Sequence, residues 1–167
     1  VESVDEGGHT PLHHASSGLF PEVVEILLKR GANVDARDNS MHTPLSETLG
    51  TLRYQSDSCW KSLISTVEIL LDYGADAHFR TPEGKTSLAV LAEALRDGCR
   101  FGNSNDCIEP ALEIAGKLVE HGAEMDAATS DATSGIIVKS TSALEAALSI
   151  PDKRFAIFLV ENGASVD

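Results

Sequence analysis

Short apolar stretches recur along the chain, and each is closely followed by a Gly-Ala pair. The stretches are Ile26-Leu27-Leu28, Ile69-Leu70-Leu71, Leu118-Val119 and Phe158-Leu159-Val160, and the pairs begin at Gly31, Gly74, Gly122 and Gly163. Glycine readily adopts the left-handed conformation that closes a helix. The pattern therefore predicts four equivalent helix ends, and with them an internally repeated chain.

A second signal lies upstream of these ends. Thr10-Pro11-Leu12-His13 and Thr43-Pro44-Leu45 begin 33 residues apart, with weaker equivalents at Thr86-Ser87-Leu88 and Ser142-Ala143-Leu144. Threonine and serine suit the N-cap of a helix, and proline suits its first position, so each motif predicts a helix start. In the first unit a second helix is predicted from Pro21, because apolar residues then recur at helical spacing up to Leu28.

A 33-residue period that carries Thr-Pro-Leu-His-x-Ala resembles the ankyrin repeat, and residues 10–15 match that signature at every defined position. The resemblance implies an all-α solenoid of helix-turn-helix units, with β-turn fingers such as the segment from Asn33 to His42. It extends over four units, approximately 5–37, 38–80, 81–128 and 129–167. One such unit cannot bury its apolar face alone, so neighbouring units must stack.

The spacing departs from the 33-residue period in three places. The Gly-to-Gly distances are 43, 48 and 41 residues, which places extra residues at about 52–63, at about 97–110 and in the finger before the fourth unit. The Gly, Asn, Ser and Asp content of residues 97–107, in the second of these segments, predicts a mobile loop there. The segment at about 52–63 contains Tyr54 and Trp60, whose side chains either pack back on the helices or are exposed as an anchor for a partner. For these segments, tolerated length variation and partner contact both remain open.

Charge narrows the classes of partner. The chain has 13 basic and 26 acidic residues, a net charge of −13 and a pI near 4.7, so nucleic acids and anionic membrane surfaces would be repelled. The acidic residues are spread along the sequence, which favours a solvated surface over a dedicated acidic docking face. No apolar stretch approaches the roughly 18 residues that cross a bilayer, so a membrane partner is not expected.

Cys59, Cys99 and Cys107 lack the dense, even-numbered pattern of small disulfide-stabilised domains. The sequence therefore predicts thiols in a reducing compartment, the cytoplasm or the nucleus, although Cys99 and Cys107 could bridge under oxidation. The chain begins at Val1 rather than Met, and neither end carries an obvious polar capping unit. These features predict a fragment of a larger repeat or multidomain protein, monomeric by itself.

His9, His13 and His14 form the most plausible metal-binding cluster in the sequence. The resemblance instead assigns the His of Thr-Pro-Leu-His to the hydrogen bonds of the turn, and His9 precedes the helix. No phosphate-binding glycine loop, nucleophile motif or paired base stands out. The sequence therefore predicts no metal, no cofactor and no catalytic residues; a metal-binding or catalytic domain is the third and weakest hypothesis.

The resemblance implies a concave face, made of first helices and fingers, on which ankyrin arrays bind proteins through variable positions. Carried over to this chain, those positions are Glu6, His9, Ser17, Asn39, Ser40, His42, Glu83 and Lys85. The leading prediction is a protein–protein interaction module that binds another protein or a neighbouring domain of the same protein. The alternative is an internal structural or regulatory spacer within a larger multidomain protein.

Overall fold

The computed structural model describes residues 3–54, 59–101, 107–125 and 142–165, with the backbone alone at 53–54 and 99–101. The helices in these ranges are α1 (Pro11–Ser17), α2 (Pro21–Lys29), α3 (Pro44–Gly50), α4 (Trp60–Asp72), α5 (Ser87–Phe101), α6 (Ile108–Glu120), α7 (Ala143–Leu148) and α8 (Arg154–Glu161). A short 3-10 helix, Thr51–Tyr54, follows α3. The described ranges contain no β-strand, and an isolated bridge joins Arg80 to Thr86. The all-α prediction is confirmed.

The first helix of each unit begins as the sequence predicts. The side chains of Thr10, Thr43 and Ser142 accept hydrogen bonds from the backbone N–H three residues further on. Thr86 does the same with the amide of Ala89, at 3.3 Å. These bonds satisfy N–H groups that otherwise have no partner in the first turn of a helix, which fixes where each helix begins.

Each second helix ends two residues before one of the four predicted glycines. Gly31, Gly74, Gly122 and Gly163 have φ angles of 82°, 88°, 85° and 100°, which only glycine adopts without strain. The alanine after each glycine donates its N–H to a carbonyl of the preceding helix, such as that of Leu27 for Ala32, at 3.1 Å. This return hydrogen bond closes each helix and turns the chain towards the next finger.

The helices form two parallel rows. In one row α1 packs on α3, α3 on α5 and α5 on α7; in the other α2 packs on α4, α4 on α6 and α6 on α8. Four leucines at the same place in the first helices are buried, namely Leu12, Leu45, Leu88 and Leu144. Because each unit buries its apolar face against the next, the core is continuous along the stack, as the solenoid prediction requires.

The mobile loop predicted at 97–107 is wrong for residues 97–101, which are helical. Helix α5 has 15 residues, against seven in α1 and α3, and continues through residues 97–101. Residues 108–110 already belong to α6, and residues 102–106 lie outside the described part. Helix α5 as a whole packs against α7 and against the 3-10 helix, and part of the extra sequence lengthens this helix.

The extra sequence of the second unit is only partly described. Trp60 begins α4, and its partly buried side chain packs against the apolar core, which confirms that it folds back on the helices. The side chain of Tyr54 and residues 55–58 lie outside the description, as does the predicted long finger before the fourth unit, which falls in 126–141.

Cys107 is disulfide-bonded, so the prediction of a thiol is wrong at this position. The side chain of Cys99 lies outside the described residues, and Cys59 keeps a thiol. Among the described helices, none combines the length and the apolar character that a membrane span needs.

Candidate functional site

The described residues include three fingers, each closed by the same backbone hydrogen bond. Asp5 N–H donates to the His9 carbonyl at 3.1 Å, Asp38 N–H to His42 at 3.0 Å, and Thr81 N–H to Lys85 at 3.0 Å. We call these the first finger (5–9), the second finger (38–42) and the third finger (81–85). The fourth residue of each has a positive φ, at Gly8, Met41 and Gly84. The three fingers therefore present their side chains from one shared backbone geometry.

Aspartates stabilise the first two fingers from within. The Oδ1 atom of Asp5 accepts the N–H groups of Gly7 and His9, both at 2.9 Å. The Oδ1 atom of Asp38 accepts those of Ser40, at 2.9 Å, and His42, at 2.7 Å. The backbone hydrogen bond from His9, helped by the His9 and His14 side chains and opposed by partial burial, lowers the pKa of Asp5 to about 2.

His13 connects α1 to the second finger. Its buried ring accepts the Thr10 N–H at Nδ1, at 3.1 Å, and its Nε2 donates to the His42 carbonyl at 3.1 Å. Both ring nitrogens are thereby used in the turn network. This confirms the structural role that the resemblance assigns to this histidine.

Two further predicted residues also join the fingers. The Asn39 backbone N–H donates to the Gly7 carbonyl at 3.0 Å, and its side-chain amide donates to the Glu6 carbonyl, also at 3.0 Å. The structure therefore brings Glu6 and Asn39 together as a contact between neighbouring fingers, whereas Ser40 lies exposed at the tip of the second finger.

Carboxylates from three elements surround His9. Its Nδ1 lies 3.1 Å from Asp5 Oδ1, and its Nε2 lies 3.4 Å from both Asp38 Oδ2 and Glu47 Oε1. Partial burial, the largest single effect, lowers the pKa of His9, but the hydrogen bond to Asp5 and the charges of Glu47, Asp5 and Asp38 together raise it above its ordinary value. His14 adds a contact to Asp5 Oδ2 at 3.0 Å.

The same atoms are the candidate metal ligands among the described residues. Asp5, His9 and His14 form one group and His9, Asp38 and Glu47 another, with the donor atoms of each group within 4.8 Å of one another. Both groups need His9, and Asp38 already accepts two backbone amides through Oδ1. The first group lies within one unit, but its Asp5, which stands four residues before His9, was not predicted from the sequence. The second group could not be found from the sequence, because Asp38 and Glu47 come from the next unit. That the chain binds no metal stays a prediction.

A groove of about 510 Å³ lies between the second and third fingers and the first helices of three units. The residues that line it are Ser17, His42, Ser46, Glu47, Gly50, Thr51, Thr81, Glu83, Lys85, Val90 and Glu93. Four of the predicted contact positions, Ser17, His42, Glu83 and Lys85, meet in this groove. Glu6, His9, Asn39 and Ser40 do not line it. Pockets of several hundred cubic ångströms are large enough to enclose ligand groups.

The sequence carried a signal for the groove residues that were missed. Ser17, Gly50 and Glu93 each stand seven residues after the capping threonine of their unit, so they occupy one repeat position. Glu47 and Val90 stand four residues after it and share a helix face with that position. Extending the repeat alignment from Ser17 to the later units would have found Gly50 and Glu93, and the residues three positions before these on the same helix face are Glu47 and Val90.

Charged groups dominate the third-finger side of the groove. Lys85 Nζ lies 2.6 Å from Glu93 Oε2, and the Glu93 side chain is only 8% exposed. A hydrogen bond from Thr81 and one from the Glu83 backbone, helped by nearby positive charge and opposed by burial, lower the pKa of Glu83. Glu83 is therefore ionised at neutral pH.

Comparison with known proteins agrees with the repeat geometry. The family model described as "Ankyrin repeat" matches residues 7–39. A putative ankyrin repeat protein of Rickettsia bellii (strain RML369-C) is 34% identical over 95 residues, covering 53% of this chain and 35% of that protein. Human ankyrin repeat and SOCS box protein 6 is 32% identical over 123 residues, covering 74% and 25%. Human BCL-6 corepressor-like protein 1 is 31% identical over 92 residues, covering 55% and 5%.

The matched segments span about a third or less of the length of these relatives. The likeness therefore concerns the repeat array that the chain shares with parts of larger proteins.

Proposed function

Because the chain belongs to the ankyrin-repeat family, we propose that it binds a segment of another protein in the groove between its fingers and first helices. Ankyrin repeats generally serve as protein–protein interaction modules rather than enzymes. Fold alone does not choose the binding face, so the proposal depends on the geometry of this chain.

One observation carries the proposal: four contact positions from three units, all implied by the resemblance, meet in a single groove. Ser17 comes from α1, His42 from the second finger, and Glu83 and Lys85 from the third finger. The repeat position of Ser17 is occupied in the second unit by Gly50, which has no side chain and so leaves room at the groove. A Cβ atom built at Gly50 would meet no other atom within 4 Å.

Gly50 offers a direct test, because Gly50→Trp would fill the groove while Gly50→Ala would leave it open. Neither change requires a positive φ at this helical position, and both begin in open space. Peptides would be selected from a random display library on the wild-type chain, and their affinities for both variants measured by fluorescence anisotropy. We expect binding to fall at least about tenfold for Gly50→Trp and to change less than about twofold for Gly50→Ala.

Thermal melts of both variants would confirm that the fold is kept. Binders that recognise Gly50→Trp as tightly as the wild type would contradict the proposal, as would a library that yields no binder at all.

A further inference from the structure

The groove carries more negative than positive charge. Glu47 comes from α3, Glu83 from the third finger and Glu93 from α5, whereas Lys85 is the one lysine or arginine among the described residues that line the groove. Lys85 forms an ion pair with Glu93, with 2.6 Å between Nζ and Oε2. Glu47 and Glu83 therefore form no ion pair with a lysine or arginine of the groove, although the charge of Lys85 also acts on Glu83.

His9 does not neutralise this excess. It contacts Glu47 at 3.4 Å, but it also contacts Asp5 and Asp38, so one imidazolium would face three carboxylates. His42 is the histidine in the groove lining. Its Nδ1 lies 3.5 Å from Asp38 Oδ2, so it contacts one of the three carboxylates that surround His9. Even with His9 protonated, the second finger and the start of α3 keep a net negative charge.

The surroundings favour a partner cation with several hydrogen-bond donors. The Glu47 side chain is only 20% exposed, and a carboxylate that is partly removed from water attracts a cation more strongly than a fully solvated one. Hydroxyl groups of Thr51 and Thr81 border the same groove. A guanidinium group presents five donors in a plane and can bridge carboxylate and hydroxyl oxygens at once, which an ammonium group does less well.

We propose that the groove recognises a basic segment of its partner, and that an arginine side chain from that segment enters between Glu47 and Glu83. The small residues Ser17 and Gly50 give it room, and the Lys85–Glu93 ion pair forms a neutral part of the wall. The net charge of −13 over the whole chain attracts the same class of partner before contact. This inference rests on the proposed function, because it names the chemistry of the segment that the groove binds.

The test uses the peptides selected on the wild-type chain. Each arginine of a binder is replaced in turn by citrulline, which keeps the shape of the side chain and removes its charge. We expect one arginine in each binder whose replacement weakens binding to the wild-type chain at least about tenfold, and no more than about twofold to the double variant Glu47→Gln with Glu83→Gln.

The matched control is Glu22→Gln with Glu161→Gln, which removes two exposed carboxylates from α2 and α8 and lowers the net negative charge by the same amount. It should bind the arginine peptides within about twofold of the wild type in physiological salt, because screened charges far from the groove contribute little. Thermal melts of both double variants would establish that they fold.

Two results separate this inference from the proposed function. If binders lose affinity for Gly50→Trp but tolerate citrulline and the Glu47→Gln, Glu83→Gln variant, the groove binds a partner without arginine recognition, and this inference is overturned alone. If the binders ignore Gly50→Trp, the proposed function falls, and this inference falls with it. An equal loss with the control pair would show that only the overall charge attracts the peptide, which would also overturn the inference.

Discussion

His9 is the residue on which the charged contacts of the first two units converge. Asp5 belongs to its own finger, Asp38 to the next finger and Glu47 to α3, and all three carboxylates approach the ring within 3.4 Å. Because these partners belong to both units, the protonation of one side chain is coupled to the way the two units stack. The sequence placed His9 at a contact position, but the ring faces neighbouring carboxylates and does not line the groove.

A titration of His9 tests this arrangement. Its pKa is raised above 6.5, so its contribution to stability is fully present below pH 6.5 and is lost as the pH rises through the folded-state value. We expect the NMR titration midpoint of His9 above 6.5, and a lower midpoint in Asp5→Asn, whose amide oxygen can still accept the finger N–H groups. Asp76→Asn, a change beside His78 in another unit, is the control.

A His9 midpoint at or below 6.5 in the wild-type chain, or one that Asp5→Asn leaves unchanged, would contradict the described contacts.

At the scale of elements, capping residues and glycines define where helices begin and end. These signals are local, which is why the sequence predicted the starts after Thr10 and Thr43 and the ends at the four glycines. The length of α5 has no such local signal, and the helix as a whole packs against α3, α6, α7 and the 3-10 helix. A composition typical of loops predicted a loop from residue 97, whereas the described residues 97–101 are helical.

Substitutions at two glycines can distinguish the effect of backbone conformation on stability from the effect of packing. A Cβ atom at Gly116, inside α6, or at Gly74, after α4, would meet nothing within 4 Å, but only Gly74 has a positive φ, of 88°. Gly116→Ala should therefore raise the free energy of unfolding by about 0.5–1 kcal/mol, since alanine favours the helix. Gly74→Ala should lower it by roughly 1 kcal/mol, because a Cβ strains the left-handed conformation.

Urea denaturation of both variants measures these changes. A shift of the same sign in both would show that φ does not decide the effect at these positions.

At the scale of the whole molecule, stacking creates a site that no single unit contains. The period of the sequence predicted the stack, and the resemblance to ankyrin repeats implied four of the groove residues. It did not predict the carboxylates around His9 or the Lys85–Glu93 ion pair, since these depend on how side chains of different elements meet. The residues that line the groove carry more negative than positive charge, although the acidic residues of the chain are spread along the sequence.

The central claim is that a protein segment binds in this groove, and hydrogen–deuterium exchange with and without a selected peptide tests it most directly. Bound peptide would shield and stabilise the groove elements, so exchange should slow in residues 42–51 and 81–93. It should stay unchanged in α8, which contributes no groove residue. Protection confined to the second helices, or no protection in either groove segment, would contradict the account.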